Sequence, residues 1–168
     1  AATLQLGAGQ RRLQRILQCV ARLDRPARSL LRVAAAAGRD VSYPLLRAVA
    51  ELPERDVRES LRQAVEHGVL VSEQGTRNFR FRHALLAEAV YGTILPGERE
   101  ELHARLAEEL ARDGAASPGE LAPDWAAAGR GAEALTASVE AARRPEAVFG
   151  LAEAYAHLER ALALRDAV

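Results

Sequence analysis

The chain has 168 residues, enough for one ordinary domain or two small ones. Hydrophobic residues make up 49% of it, aromatic residues only 4%, and Ala alone fills 36 positions, which favours helices over sheets. All 23 basic residues are Arg, so the absence of Lys excludes a P-loop of the Walker type and a Schiff-base enzyme. The net charge is zero, but residues 1–39 carry +7 and residues 40–168 carry −7, a polarity that suits docking to another part of a larger molecule as well as binding to nucleic acid.

Helical periodicity dominates the first 68 residues. Apolar side chains recur at helical spacing. The helix boundaries are indicated by Asp24 and Ser42 as N-caps, by a Pro near two of the starts and by a Gly at two of the ends. The pattern predicts four helices, over residues 10–22, 24–38, 42–49 and 53–68.

A β-hairpin is predicted next. Val69 to Glu73 is short and β-branched, a Gln-Gly-Thr turn follows, and the segment from Asn78 to Arg82 alternates with a period of two. The alternation places Phe79 and Phe81 inward and the arginines between and after them outward. Helices followed by one hairpin are typical of a winged-helix domain.

The rest of the sequence predicts antiparallel helices. One begins at His83 and ends before Leu95-Pro96, a second covers 98–113, and three more follow a small, polar linker from Gly114 to Gly119. The last three, over 120–128, 132–143 and 146–164, alternate in length and carry small residues where they would cross, which resembles a tetratricopeptide-type array. We therefore expect a winged-helix domain with its linker and following helices over 1–113, and over 114–168 the start of a tetratricopeptide-like array that continues past the last residue.

No pattern of catalytic residues is present, so the chain is predicted not to be an enzyme. The four His residues have no metal-ligand spacing to one another, and the single Cys19 excludes an internal disulfide and a multi-Cys zinc site. No apolar run approaches the roughly 20 residues of a membrane span and no signal peptide is visible, so a cytoplasmic location without membrane contact is expected. Because residue 1 is Ala and no Met occurs, we expect a processed chain or a segment of a longer protein.

Direct DNA binding is the first function that a winged helix suggests. Its recognition helix would be the one over 53–68, and the candidate DNA-contacting side chains there and on the hairpin are Arg55, Arg58, Arg62, Arg77, Arg80 and Arg82. Residues 54–82 nevertheless carry a net charge of only +1, and two of the arginines have Glu four residues later, in the pairs Arg55–Glu59 and Arg62–Glu66. A specific DNA reader needs a clearly basic stripe, so direct DNA contact is disfavoured, although a free-standing DNA-binding regulator stays open as an alternative.

His83 is the candidate binding residue. It opens a helix directly after a strand, where free backbone N–H groups and the helix dipole favour an anion. The alternative is a structural role, in which His83 caps the helix or packs at the foot of the hairpin.

The segment Phe-Arg-His-Ala-Leu-Leu-Ala-Glu-Ala-Val-Tyr over residues 81–91, followed by Leu95-Pro96, Arg99 and Leu102-His103, resembles a known family. It is similar to the region after the nucleotide-binding domain of STAND-class signalling ATPases, which include the large ATP-binding LuxR-type transcriptional regulators of actinomycetes. The resemblance extends over residues 10–165. It implies a winged helix followed by a tetratricopeptide-like superhelix, downstream of an ATPase domain.

The resemblance also implies a function. In such ATPases a Met-His-Asp-like motif places its His against the phosphates of bound ADP, and His83 matches that position while Arg82 and Ala84 replace the Met and the Asp. The implied role is a non-catalytic module that couples the nucleotide state of an upstream ATPase domain to an inducer or partner protein at the helical repeats. ATP or ADP would be bound by the parent protein and no cofactor by this chain alone. A protein-interaction adaptor is the other alternative.

Overall fold

The computed structural model describes residues 18–38, 40–114, 116–143 and 159. Residues 10–17 of the predicted first helix lie outside them, as does the predicted helix over 146–164 apart from Glu159. The chain forms two compact units, Ala1–Leu95 and Pro96–Val168. The division falls at residues 95 and 96, before the helix that the sequence analysis had grouped with the first domain.

In the described part of the first unit, four helices and three short strands follow a helical segment at residues 18–21. In chain order these are α1 (Arg25–Ala37), β1 (Asp40–Ser42), α2 (Tyr43–Val49), α3 (Glu54–Glu66), β2 (Leu70–Ser72), β3 (Asn78–Phe81) and α4 (Ala84–Gly92). The mainly helical prediction is confirmed, and α1 to α4 begin and end within one or two residues of the helices predicted over 24–38, 42–49 and 53–68 and from His83 to before Leu95.

The predicted N-caps form. Oδ1 of Asp24 accepts a hydrogen bond from the backbone N–H of Ala27 at 2.8 Å, and Oγ of Ser42 accepts one from the N–H of Leu45 at 3.3 Å. Each bond satisfies a donor that the first turn of a helix leaves unpaired. Two side chains that the sequence alone identifies therefore set where α1 and α2 begin.

The end of α3 is a Schellman motif centred on Gly68. The N–H of Gly68 bonds to the carbonyl of Val65, and the N–H of Val69 bonds to that of Ala64, each at 2.9 Å. Gly68 has φ +67°, in the left-handed region. The turn redirects the chain from α3 into β2.

The three strands form one antiparallel sheet in the order β1-β3-β2. Arg80 of β3 lies opposite Asp40 on one side and Val71 on the other. The hairpin of β2 and β3 was predicted, but β1 was missed, because three residues with only Val41 apolar have no recognisable period. The strand exists because β3 offers its second edge for pairing.

An aliphatic core joins the helices of the first unit to the sheet, with α1 packed on both α3 and α4. Its fully buried apolar side chains include Leu30, Leu31, Val41, Leu46, Val49, Val57, Val69 and Leu70. On β3, Phe81 is buried and Phe79 half-buried, while Arg80 is exposed, as the alternation predicted.

The second unit contains three described helices, α5 (Pro96–Asp113), α6 (Pro118–Ala127) and α7 (Gly131–Arg143), and α6 packs on both of its neighbours. Leu102 and Leu106 of α5 and Ala122 of α6 are buried. Residues 128–130 alone connect α6 to α7, and helices joined by so short a connection run antiparallel. Because α5 contributes its apolar stripe to this core, it belongs to the second unit.

Candidate functional site

His83 occupies the N-cap position of α4, two residues after β3 ends. Its backbone is extended, with φ −137° and ψ 135°, and its imidazole makes no capping hydrogen bond. The side chain is exposed. Of the two structural roles that the sequence left open for His83, a cap or packing at the foot of the hairpin, the side-chain cap is therefore not formed.

A cleft of about 770 Å³ lies beside this position, between the sheet and α4. Arg80 and Arg82 line it together, so both point to the same side of β3 and its continuation. Acidic side chains from three other segments line it as well: Asp40, Glu73 and Glu88. Because the two signs are mixed, this cleft has no strong preference for an anion on charge alone.

The arginines of α3 are held by acids of the same helix. Nη2 of Arg58 lies 2.6 Å from Oε1 of Glu54, a contact that raises the pKa of Arg58 through the hydrogen bond and the carboxylate charge. Arg62 pairs with Glu59, and Nε of Arg55 lies 3.1 Å from Oδ1 of Asp56.

The i,i+4 partners that the sequence analysis predicted, Arg55–Glu59 and Arg62–Glu66, are therefore wrong. Asp56 lies next to Arg55, and Glu59 reaches Arg62 at i,i+3 spacing, which is as short as i,i+4 on a helix surface. Ion pairing still disfavours direct DNA contact through α3, because each of the three guanidinium groups on this helix faces a carboxylate.

The side of α3 that faces the sheet is apolar. A groove of about 530 Å³ lies there, and its lining includes the apolar side chains of Leu61, Val65 and Phe79 together with Tyr43, Arg58, Arg62 and Glu66. The Tyr43 hydroxyl is buried, and Arg58 lines the same groove. On the hairpin, Arg77 and Arg80 are exposed. The structure thus places the candidate DNA-contacting residues around α3 and the hairpin without gathering them into one uncompensated basic surface.

Two arrangements were not anticipated from the sequence. In the second unit, Nδ1 of His103 lies 2.8 Å from Oδ1 of Asp124. In the first unit, Arg25, Arg28 and Arg32 of α1 line a cleft of about 600 Å³ that α4 closes on the other side. The +7 charge of residues 1–39 was the available signal for the second arrangement, but it did not indicate which arginines face a cavity.

Among the described residues, no three His, Cys, Asp or Glu side chains come together as a metal site. In the same part of the chain, no helix combines the length and the apolar character that crossing a membrane requires.

Comparison with known proteins finds one curated relative to report. An uncharacterized protein of Rhizobium meliloti strain 1021 is 32% identical over 145 residues, which cover 82% of this chain. The aligned segment spans only 14% of that relative's length. No protein-family model matches the chain, and no solved structure matches it.

Proposed function

We propose that this chain is a non-catalytic regulatory module of a multidomain signalling ATPase that controls transcription. In this proposal the first unit is a winged-helix domain that docks on an upstream nucleotide-binding domain, and the second begins a tetratricopeptide-like array that receives an inducer or partner protein. The module binds no nucleotide alone. It contributes the imidazole of His83 to a nucleotide-binding site that the ATPase domain provides.

The position of His83 carries the proposal. Its imidazole is exposed at the first turn of α4, next to backbone N–H groups that the helix itself leaves unpaired. An anion held by a neighbouring domain would meet both the imidazole and the positive end of the helix dipole. The phosphates of ADP are the anion that the resemblance to STAND-class ATPases suggests.

The order of elements in the first unit supports a winged-helix assignment. A strand between the first and second helices pairs with the hairpin that follows the third, in the order β1-β3-β2. The ion pairs along α3 support use of this domain as a scaffold, because an arginine that already faces a carboxylate gains less from a DNA phosphate.

The relative from Rhizobium meliloti supports a module within a larger protein. The segment similar to this chain is a small part of that relative, so a similar sequence occurs there next to a long additional sequence. Control of transcription through a separate DNA-binding domain, and a cytoplasmic location, are parts of the same proposal.

The test is the nucleotide content of the parent polypeptide, purified with and without the substitution His83→Ala. Loss of the imidazole should lower the amount of ADP that stays bound to the parent polypeptide through purification. It should also raise the activity of the parent without inducer, because the closed, ADP-bound state is then less stable relative to the open state that ligand and ATP favour. His67→Ala is the matched control, since His67 is also exposed and its Nδ1 lies 2.9 Å from the carbonyl oxygen of Gln63 in the last turn of α3. Equal ADP retention in the parent and both variants would contradict the role of His83.

A further inference from the structure

The cleft of about 770 Å³ between the sheet and α4 holds charges of both signs that do not neutralise one another. Two arginines and three acids from four segments of the chain line it: Arg80, Arg82, Asp40, Glu73 and Glu88. Among the residues that the structure describes, none of these five forms an ion pair with another. The cleft therefore offers positive and negative groups side by side to a ligand.

The sheet positions the two arginines and one of the acids. Arg80 of β3 lies opposite Asp40 of β1, so their side chains project from one face of the sheet with Cβ atoms about 5 Å apart. The N–H of Arg82 bonds to the carbonyl of Val69 at 3.0 Å, which continues the ladder past β3 and keeps Arg82 on the same face as Arg80. Groups of opposite charge that are neighbours without contact can hold the carboxylate and the ammonium of one ligand together.

The other two acids face the cleft from the helix and the hairpin. Glu88 shares one face of α4 with Ala84 and Ala87, since the three lie at i, i+3 and i+4 spacing. Oε2 of Glu73 accepts from the hydroxyl of Thr76 at 3.2 Å, a bond that orients this carboxylate and leaves its charge in place. A cation in the cleft can therefore meet carboxylates from β1, from the hairpin and from α4.

Small residues leave the space between these charged groups open. Ala35 and Gly38 line the cleft at the end of α1, and Ala84 and Ala87 line it from α4. None of these four has an atom beyond Cβ. The resulting volume lies within the range of about 300–1,000 Å³ that is usual for small-molecule sites, far more than one ion needs.

We infer that this cleft binds a short peptide with free ends. The terminal carboxylate pairs with Arg80 or Arg82, since a guanidinium can hold a carboxylate with two hydrogen bonds. The terminal ammonium pairs with the carboxylates, and the peptide's backbone lies over the alanines. The inference does not depend on a nucleotide or on the role of His83.

The mixture of charges favours a zwitterion over a ligand of one sign. A polyphosphate would meet the carboxylates of Asp40, Glu73 and Glu88, and a polyamine would meet both guanidinium groups, so each would bring like charges together. A single amino acid has both charges but fills only a small part of the cleft. A peptide of three or four residues supplies both charges and the bulk.

The test uses the full chain, labelled with ¹⁵N, and the peptide Ala-Ala-Ala with free ends. Titration at low salt, followed by the backbone amide signals of Gly38, Arg82, Ala84 and Ala87, gives both the affinity and the place of binding. Acetylation of the N-terminus or amidation of the C-terminus should each weaken binding by about twofold to fivefold, because each removes one ion pair.

The variant Arg80→Gln/Glu88→Gln removes one group of each sign and leaves the net charge of the chain unchanged. It should weaken binding of the free peptide by about fivefold or more. The matched control is Arg77→Gln/Glu66→Gln, which makes the same change at two exposed residues outside the described lining of the cleft. It should leave the affinity within about twofold, because exposed charges at a distance are screened.

A second variant links the peptide's carboxylate to the arginines. In Arg80→Gln/Arg82→Gln, amidation of the C-terminus should no longer change the affinity, while acetylation of the N-terminus should still weaken it. A general loss of structure would instead weaken every form of the peptide alike.

Four results would overturn the inference. They are no change of the amide signals at peptide concentrations on the order of 10 mM, an equal loss of affinity in the control variant, equal binding of the peptide blocked at both ends, and binding of free alanine as tight as that of Ala-Ala-Ala. The last result would make the cleft an amino-acid site.

Discussion

Nδ1 of His103 and Oδ1 of Asp124 are 2.8 Å apart and join α5 to α6 across 21 residues of sequence. The two side chains are only 10% and 17% exposed. A hydrogen bond sheltered from water is strong, and either partner left alone there is costly. The contact therefore fixes how α5 and α6 meet, in addition to the apolar packing of Leu106 and Ala122.

Substitution of either partner should destabilise the second unit. His103→Leu or Asp124→Leu should each lower the free energy of unfolding by about 1–3 kcal/mol, because the remaining polar group loses this buried hydrogen bond. The double variant should cost less than the sum of the two. Urea unfolding followed by the fluorescence of Trp125, the single Trp and a residue of α6, reports on this unit.

The control for this pair is Glu108→Gln. Glu108 contacts Arg130 at 3.4 Å, but both side chains are nearly half exposed, so the unfolding free energy should change by no more than about 0.5 kcal/mol. Strictly additive effects of the two leucine substitutions would contradict the coupling of His103 with Asp124.

Two glycines at helix ends should respond in opposite directions to replacement by Ala. Gly68 has φ +67° in the Schellman motif, so Gly68→Ala should destabilise the chain by about 1–2 kcal/mol. Gly92 ends α4 without a positive φ, and a Cβ built there would have open space around it. Gly92→Ala should therefore stabilise the chain by about 0.5 kcal/mol. Thermal melting followed by circular dichroism should give the original chain a melting temperature between those of the two variants. Any other order of the three melting temperatures would contradict the prediction.

The capping box of α6 predicts a pH dependence of stability. Oε2 of Glu120 accepts from the backbone N–H of Ser117 at 2.7 Å, and hydrogen bonds to Ser117 lower the pKa of Glu120 below its ordinary value of 4.5. Because the pKa of Glu120 is lower in the folded chain than in the unfolded chain, its carboxylate stabilises the fold fully at pH values above the pKa of the unfolded chain. This contribution is lost as the pH falls through the folded pKa.

Glu120→Gln should therefore reduce the loss of stability between neutral pH and about pH 3, since Gln does not titrate. Ser117→Ala should cost about 1 kcal/mol at neutral pH, because Oγ of Ser117 no longer accepts from the N–H of Glu120. Unfolding monitored by Trp125 fluorescence at a series of pH values tests both. A pH profile of Glu120→Gln that parallels the original chain would refute the assignment.

The ion pairs on α3 predict weak binding to duplex DNA. Because Arg58 and Arg62 already face Glu54 and Glu59, the chain should bind a labelled duplex no more tightly than about 10⁻⁴ M at physiological salt. Glu54→Gln/Glu59→Gln should strengthen binding at low salt, since it releases both guanidinium groups. Tight binding by the original chain, abolished by Arg58→Ala or Arg62→Ala, would instead favour the free-standing DNA-binding regulator.

Local features of the sequence determined most of the helices of this protein and its hairpin. The caps at Asp24 and Ser42 and the turn at Gly68 depend on residues only a few positions away, so the sequence alone predicts where these helices begin or end. The exposed N-cap position of His83 follows in the same way from a strand that runs directly into a helix.

Tertiary structure alone decided β1, the grouping of α5 with the second unit, and the two arrangements missed from the sequence. Asp40–Ser42 becomes a strand only because β3 presents a free edge, and His103 meets Asp124 only because α5 packs on α6. Likewise, Arg25, Arg28 and Arg32 of α1 line a cleft because α4 lies beside them. These features depend on contacts between residues far apart in sequence, and periodicity and capping act over one or two turns.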